Sequence, residues 1–71
     1  MSNPKWDQVK GKWNQFKGEV RTRWGELTND EVDQIAGERD KLAGKLQERY
    51  GIAKEQANDE IDEWAESLKF D

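Results

Sequence analysis

An all-α chain is predicted, an open four-helix bundle built from two pseudo-repeated helix-turn-helix halves, and three observations predict it. Apolar side chains recur at helical spacing along almost the whole sequence. The sequence also matches itself when slid by twenty-six residues. Third, no stretch shows the alternating apolar and polar pattern with β-branched enrichment that a strand needs.

The first helix starts at Asn3-Pro4, an N-cap residue followed by proline at a position where its missing N–H costs no hydrogen bond. At 100° per residue, Trp6, Val9, Trp13, Phe16, Val20, Trp24 and Leu27 fall within about 80° of one another, which predicts one long amphipathic helix. Gly25 is placed to end it in the left-handed conformation, and Thr28 with Glu31 forms a capping box for the next helix. Val32, Ile35, Leu42, Ala43, Leu46 and Tyr50 then keep a common phase within about 100°. One interrupted helix or two nearly collinear ones would satisfy that phase. An interior glycine costs about 1 kcal/mol relative to alanine, which places a break near Gly37. Tyr50-Gly51-Ile52 reads as a Schellman end, with Ile52 able to pack back on Leu46. The last helix carries Ala57, Ile61, Trp64, Ala65 and Leu68 on one stripe, opposite a face rich in Asp and Glu.

In the repeat, Gly11 meets Gly37, Phe16 meets Leu42, Gly18 meets Gly44, Val20 meets Leu46, Arg23 meets Arg49, Trp24 meets Tyr50 and Gly25 meets Gly51. Each half then reads as helix, glycine stop, apolar residue, cap and helix. Gly11 and Gly18 lie more than about 90° from the tryptophan stripe, where they permit close backbone approach or fraying on an exposed face, or form a second contact surface for a partner.

Seventy-one residues suit a single domain over 1–71, and folding at this size hides only about 60% of the surface of the unfolded chain. Leu, Ile, Val and Phe number twelve, a low share, so Trp6, Trp13, Trp24 and Trp64 must supply much of the core. Cysteine and histidine are both absent, which excludes disulfides, thiolate nucleophiles and the commonest metal and proton-transfer side chain. No cofactor or metal is expected. The N-terminal residues lack the apolar run of a signal peptide and no run of about 18 apolar residues exists to span a bilayer, so the expected location is cytoplasmic.

Catalytic residues are expected to be none. Asp59, Glu60, Asp62, Glu63 and Glu66 crowd one stretch, yet on a helix most of them point to water. No calcium-loop, dinucleotide or P-loop glycine pattern occurs, and Ser2 and Ser67 have no base to activate them. Charge is uneven. Residues 1–25 carry six basic and two acidic side chains, a balance of +4, whereas residues 26–71 carry six basic and fourteen acidic, a balance of −8. Lys10, Lys12, Lys17, Arg21 and Arg23, with Lys5, are therefore the candidate ligand contacts, because cations interleaved with aromatics can hold nucleic acid through phosphates and base stacking. They also flank both sides of the apolar stripe, as snorkelling side chains do around a buried face. Helix pairing is thus the favoured role, with nucleic acid or an anionic membrane surface as the alternative.

Several ordered motifs carry a resemblance: Asn14-Gln15-Phe16-Lys17-Gly18, Trp24-Gly25-Glu26-Leu27-Thr28, Gly37-Glu38-Arg39-Asp40-Lys41-Leu42, Gly44-Lys45-Leu46-Gln47-Glu48-Arg49-Tyr50-Gly51, Lys54-Glu55-Gln56-Ala57 and Ile61-Asp62-Glu63-Trp64. Over about residues 11–65 the chain resembles the CsbD-like family of small bacterial general stress response proteins. That resemblance implies an open four-helix bundle, abundance under stress and no enzyme activity, and it brings no catalytic residues to transfer. A protein partner is compatible with it, unnamed by the sequence, as is any oligomeric state. Where the family often caps its last helix with a hydroxyl residue this chain has Ala53, which weakens that helix end by about 0.5–2 kcal/mol.

Overall fold

A computed structural model gives the fold and describes residues 4–68, with side chains from residue 6 onward. The described residues form five helices and no strand: α1 (Pro4–Gly11), α2 (Trp13–Arg23), α3 (Asn29–Ile35), α4 (Arg39–Tyr50) and α5 (Lys54–Ser67). Helix α1 begins at Pro4 as the sequence predicts, while Asn3, its expected cap, lies outside the described residues.

The expected single first helix is instead two. At Lys12 the backbone turns to φ −120° and ψ 32°, and its N–H is shared between the carbonyls of Gln8 and Val9, each at 3.1 Å. The fault falls beside Gly11, the weakest helix former in the segment, around which a methyl group would meet nothing within 4 Å. Nothing packs over Gly11 itself to hold the helix straight.

A second departure concerns Gly25. It does not take the left-handed conformation, and α2 stops two residues earlier, where Trp24 leaves the helix at φ −126° and ψ 80°. The Trp24 N–H still closes on Val20 O at 2.8 Å, while its side chain, 1% exposed, enters the core. Burial of a large indole outweighs one further helical residue.

The later boundaries follow the sequence. Both arms of the Thr28 and Glu31 capping box are present, with Glu31 N–H donating to Thr28 Oγ1 at 3.1 Å and Thr28 N–H to Glu31 Oε1 at 3.0 Å. The break near Gly37 occurs through two successive left-handed residues, Ala36 (φ 50°) and Gly37 (φ 81°). Gly37 is required there for a second reason, since a Cβ would stand 3.1 Å from Lys10 Cα. Helix α4 ends on left-handed Gly51, whose N–H reaches Gln47 O at 2.9 Å, and Ile52 packs on the core. Ala53 gives α5 no side-chain cap.

The helices close a ring in which α1 packs on α2, α2 on α3, α3 on α4, α4 on α5 and α5 on α1. All seven members of the first stripe and all four tryptophans are buried inside that ring. Among the predicted core positions Leu68 stands just past the end of α5 with extended backbone and is only partly buried, and Tyr50 is the one that is exposed. It is 40% exposed, like the rest of the last turn of α4 from Glu48 on, and its hydroxyl oxygen accepts the Glu26 N–H at 3.2 Å.

Candidate ligand-contact face of the first two helices

The indoles that interleave with the basic residues of α1 and α2 point away from water. Trp6 lies 6.1 Å from Trp13 and 6.2 Å from Trp64, ring centre to ring centre, and Trp64 also meets Phe16 edge-on at 6.5 Å. Tilted and edge-to-face arrangements of this kind favour aromatic pairs beyond their buried area. The Trp13 Nε1–H donates to Val32 O at 3.0 Å, so the polar edge of that ring is used in joining α2 to α3.

Four of the five candidate ligand contacts reach other parts of the fold. Lys10 pairs with Glu38 at 3.3 Å, at the head of α4, and Lys17 pairs with Asp33 of α3. Arg21 donates through Nη1 to Asn29 Oδ1 at 2.9 Å and through Nε to Leu27 O at 3.4 Å, bracing the connection from α2 to α3. Arg23 pairs with Glu60 of α5 at 3.4 Å while its guanidinium lies 5.3 Å from the centre of the Trp24 ring. Lys12, at the bend, is exposed and pairs with none of the described acids. Four of the five are therefore committed to partners within the fold. The five border a buried stripe on both sides, and all but Lys12 bind it to its neighbours.

The expected acidic face of α5 is partly engaged as well. Glu60 Oε1 accepts from Trp24 Nε1–H at 3.1 Å in addition to Arg23, and Asp62 pairs with Arg39 at 2.6 Å. Arg39 is anchored further by donation to Asn58 Oδ1 at 3.3 Å and Asn58 O at 3.2 Å. Asp59 and Glu63 remain exposed.

The most perturbed ionisable group was visible to sequence reasoning only as a cap. Glu31 is 7% exposed, and its Oε2 accepts from Arg49 Nη2 at 2.7 Å and Nε at 3.0 Å, with Lys45 Nζ at 3.6 Å. The Arg49 hydrogen bonds, aided by the Thr28 N–H, hold its carboxyl down at about 2 against the opposing effect of burial, and the same bonds raise the Arg49 guanidinium. One carboxylate thus caps α3 with one oxygen and ties it to the end of α4 with the other. The capping spacing gave the first role, but nothing local to residue 31 announces an arginine eighteen positions away.

Outside the core the surface is grooved. A groove of about 380 Å³ between α3 and α4 is lined by Gln34, Ile35, Lys41, Gly44, Lys45 and Glu48, and none of the five candidate contacts borders it. A methyl group built on Gly11, Gly18 or Gly44 would meet nothing within 4 Å, so these glycines do not mediate close approach of two described segments. No helix among the described residues is long and apolar enough to cross a membrane.

Comparison with known proteins places these features in a wider set. A family model described as CsbD-like matches residues 7–59. A UPF0337 protein of Rhodopseudomonas palustris is 55% identical over 64 residues, covering 90% of this chain and 97% of that one. A UPF0337 protein of Pseudomonas aeruginosa is 45% identical over 62 residues (87% and 95%), and the UPF0337 protein YjbJ of Escherichia coli is 53% identical over 59 residues (83% and 75%). No solved structure matches the chain significantly.

Proposed function

The chain belongs to the CsbD-like family, and from that membership we propose that it is a non-catalytic general stress response protein of the cytoplasm, acting through its abundance and hydrated surface or through a protein partner. The stress-response part rests on the family resemblance. The preference for this reading over ligand binding by the first two helices is supported by one observation: four of the five candidate basic side chains, and all the indoles among them, are engaged in holding helices together. What faces water is mostly charged and weakly apolar, with a mean hydropathy of −1.28 and a net charge of −4. Such a surface keeps a concentrated protein soluble and hydrated.

We also read the five helices as two related halves of an open bundle, with α1 and α2 together standing for the first helix. Matched positions support this by making reciprocal contacts. Arg23 and Trp24 reach forward to Glu60, whereas Arg49 and Tyr50 reach back to Glu31 and the Glu26 N–H.

The test is survival of a gene deletion after osmotic upshift, drying and acid challenge, with recovery of crosslinked partners from stressed wild-type cells. Reduced survival under at least one stress is expected, and unchanged survival under all would overturn the reading. The alternative, contact of Lys10, Lys12, Lys17, Arg21 and Arg23 with nucleic acid or an anionic membrane surface, has the exposed Lys12 in its favour. Titration with polynucleotide and with anionic vesicles at low salt decides it. Binding that weakens steeply as salt rises would replace the present reading.

A further inference from the structure

Apart from Gly37, no residue around the turn between α3 and α4 demands it. Ala36 has a Cβ yet sits at φ 50° and ψ 35°, a left-handed conformation that L-residues disfavour, and Gly37 follows at φ 81°. On one uninterrupted helix Val32 and Ile35 of α3 would share a face with Leu42, Ala43 and Leu46 of α4, and residues 29–50 contain no proline. What holds the turn is the set of contacts it permits. Lys10 packs on Gly37 and pairs with Glu38, Arg49 binds Glu31, Glu60 receives Trp24 and Arg23, and Trp64 meets Trp6, Phe16 and Trp24. Apart from the two Lys10 contacts, which end on Gly37 and Glu38 of the turn itself, each joins a residue before the turn to one after it.

We propose that residues 36–38 are a hinge that opens into one continuous helix over 29–50, so that α4 and α5 of one chain pack on α1, α2 and α3 of a second copy and the reverse. The partner is a second copy because only an identical chain reproduces the Trp64 ring contacts and the Arg49, Arg23 and Trp24 bonds without alteration. Opening relieves Ala36 and adds helical hydrogen bonds across the turn. It gives up the packing of Lys10 on Gly37, places Gly37 inside a helix and requires two molecules to meet, so exchange depends on concentration. Short hinges under strain are where such exchange is cheapest.

The experiment unfolds the full chain in guanidinium, refolds it at rising concentration and measures mass by chromatography with light scattering. A dimer should form on refolding at high concentration and persist on dilution, whereas native monomer concentrated without unfolding should stay monomeric. Gly37→Ala, which strains the turn and favours the open helix, should raise the dimerisation constant about tenfold or more, and Ala36→Gly should lower it. Monomer at every refolding concentration, or a dimer that dissociates at once on dilution, overturns the proposal. So does a Gly37→Ala chain that folds into neither form, since the open helix tolerates alanine better than glycine.

Discussion

The Trp24 and Trp64 rings lie 5.5 Å apart, inclined by 59°, and through them the end of α2 meets the last turns of α5. Trp64 also touches Trp6 and Phe16, so one side chain joins three segments of the first half to the second. A chain of this length has on the order of 4–10 kcal/mol of stability in total. Trp64→Ala should remove about 3–5 kcal/mol and leave the protein largely unfolded, whereas Trp64→Phe, which keeps ring packing, should leave it folded. Circular dichroism through a urea titration reads both, and a folded Trp64→Ala chain with wild-type midpoint would refute this account of the core.

Acid should loosen the junction of α3 and α4 through Glu31. Its carboxyl is lowered to about 2 when folded, below the ordinary value near 4.5 of the unfolded chain, so the stabilisation is fully present above about pH 4.5. It is lost progressively as pH falls from there toward 2. Glu31→Gln removes this dependence, and its stability should change less than that of the wild type between pH 5 and 2. Arg49→Ala should move the Glu31 titration upward, since the Arg49 bonds are the main cause of its depression. Carboxyl titration by NMR on the folded chain checks that shift.

Which parts of this arrangement are legible in the residues follows from the range of the forces involved. The period of the tryptophan stripe marks the buried face correctly because burial is set by local helical geometry, and all seven members lie inside. The capping box and the Gly51 stop are likewise local, four- to six-residue patterns. The early exit of Trp24 depends on where α5 presents Trp64 and Glu60, some forty residues later, and the bend at Lys12 sits within an unbroken apolar phase, so period alone misses both. The candidate ligand contacts were legible as a flanking pattern, but their partners Glu38, Asp33, Asn29 and Glu60 sit on other elements.

Those flanking pairs should each matter little to stability. Lys17 and Arg23 are more than a third exposed, where ion pairs contribute about 0.2–1 kcal/mol and salt screens them. Lys17→Ala and Arg23→Ala should lower the unfolding free energy by no more than about 1 kcal/mol each at low salt, with the difference shrinking by 1 M salt. Arg23→Ala should cost the more of the two, because it also uncovers the Trp24 ring. Urea titrations at two salt concentrations measure this. Losses several times larger would mean that these cations bear more of the fold than their exposure allows.

The helices retain residues that weaken them without a compensating contact, and replacing those should stabilise the protein. Gly18 and Gly44 sit inside α2 and α4, and a methyl group at either would meet nothing within 4 Å. Gly18→Ala and Gly44→Ala should therefore each add about 0.5–1 kcal/mol by restricting the unfolded chain and favouring helix. Ala53 stands at the head of α5 with extended backbone, φ −73° and ψ 157°, and supplies no acceptor to the first turn, so Ala53→Ser should add about 1 kcal/mol. Gly51→Ala should act in the opposite direction, because φ is 64° there and a Cβ is disfavoured even in open space. Thermal unfolding of the four variants separates these signs. If Gly18→Ala or Gly44→Ala instead destabilises, the open surroundings assigned to that glycine are wrong, and a neighbour closes on it in solution.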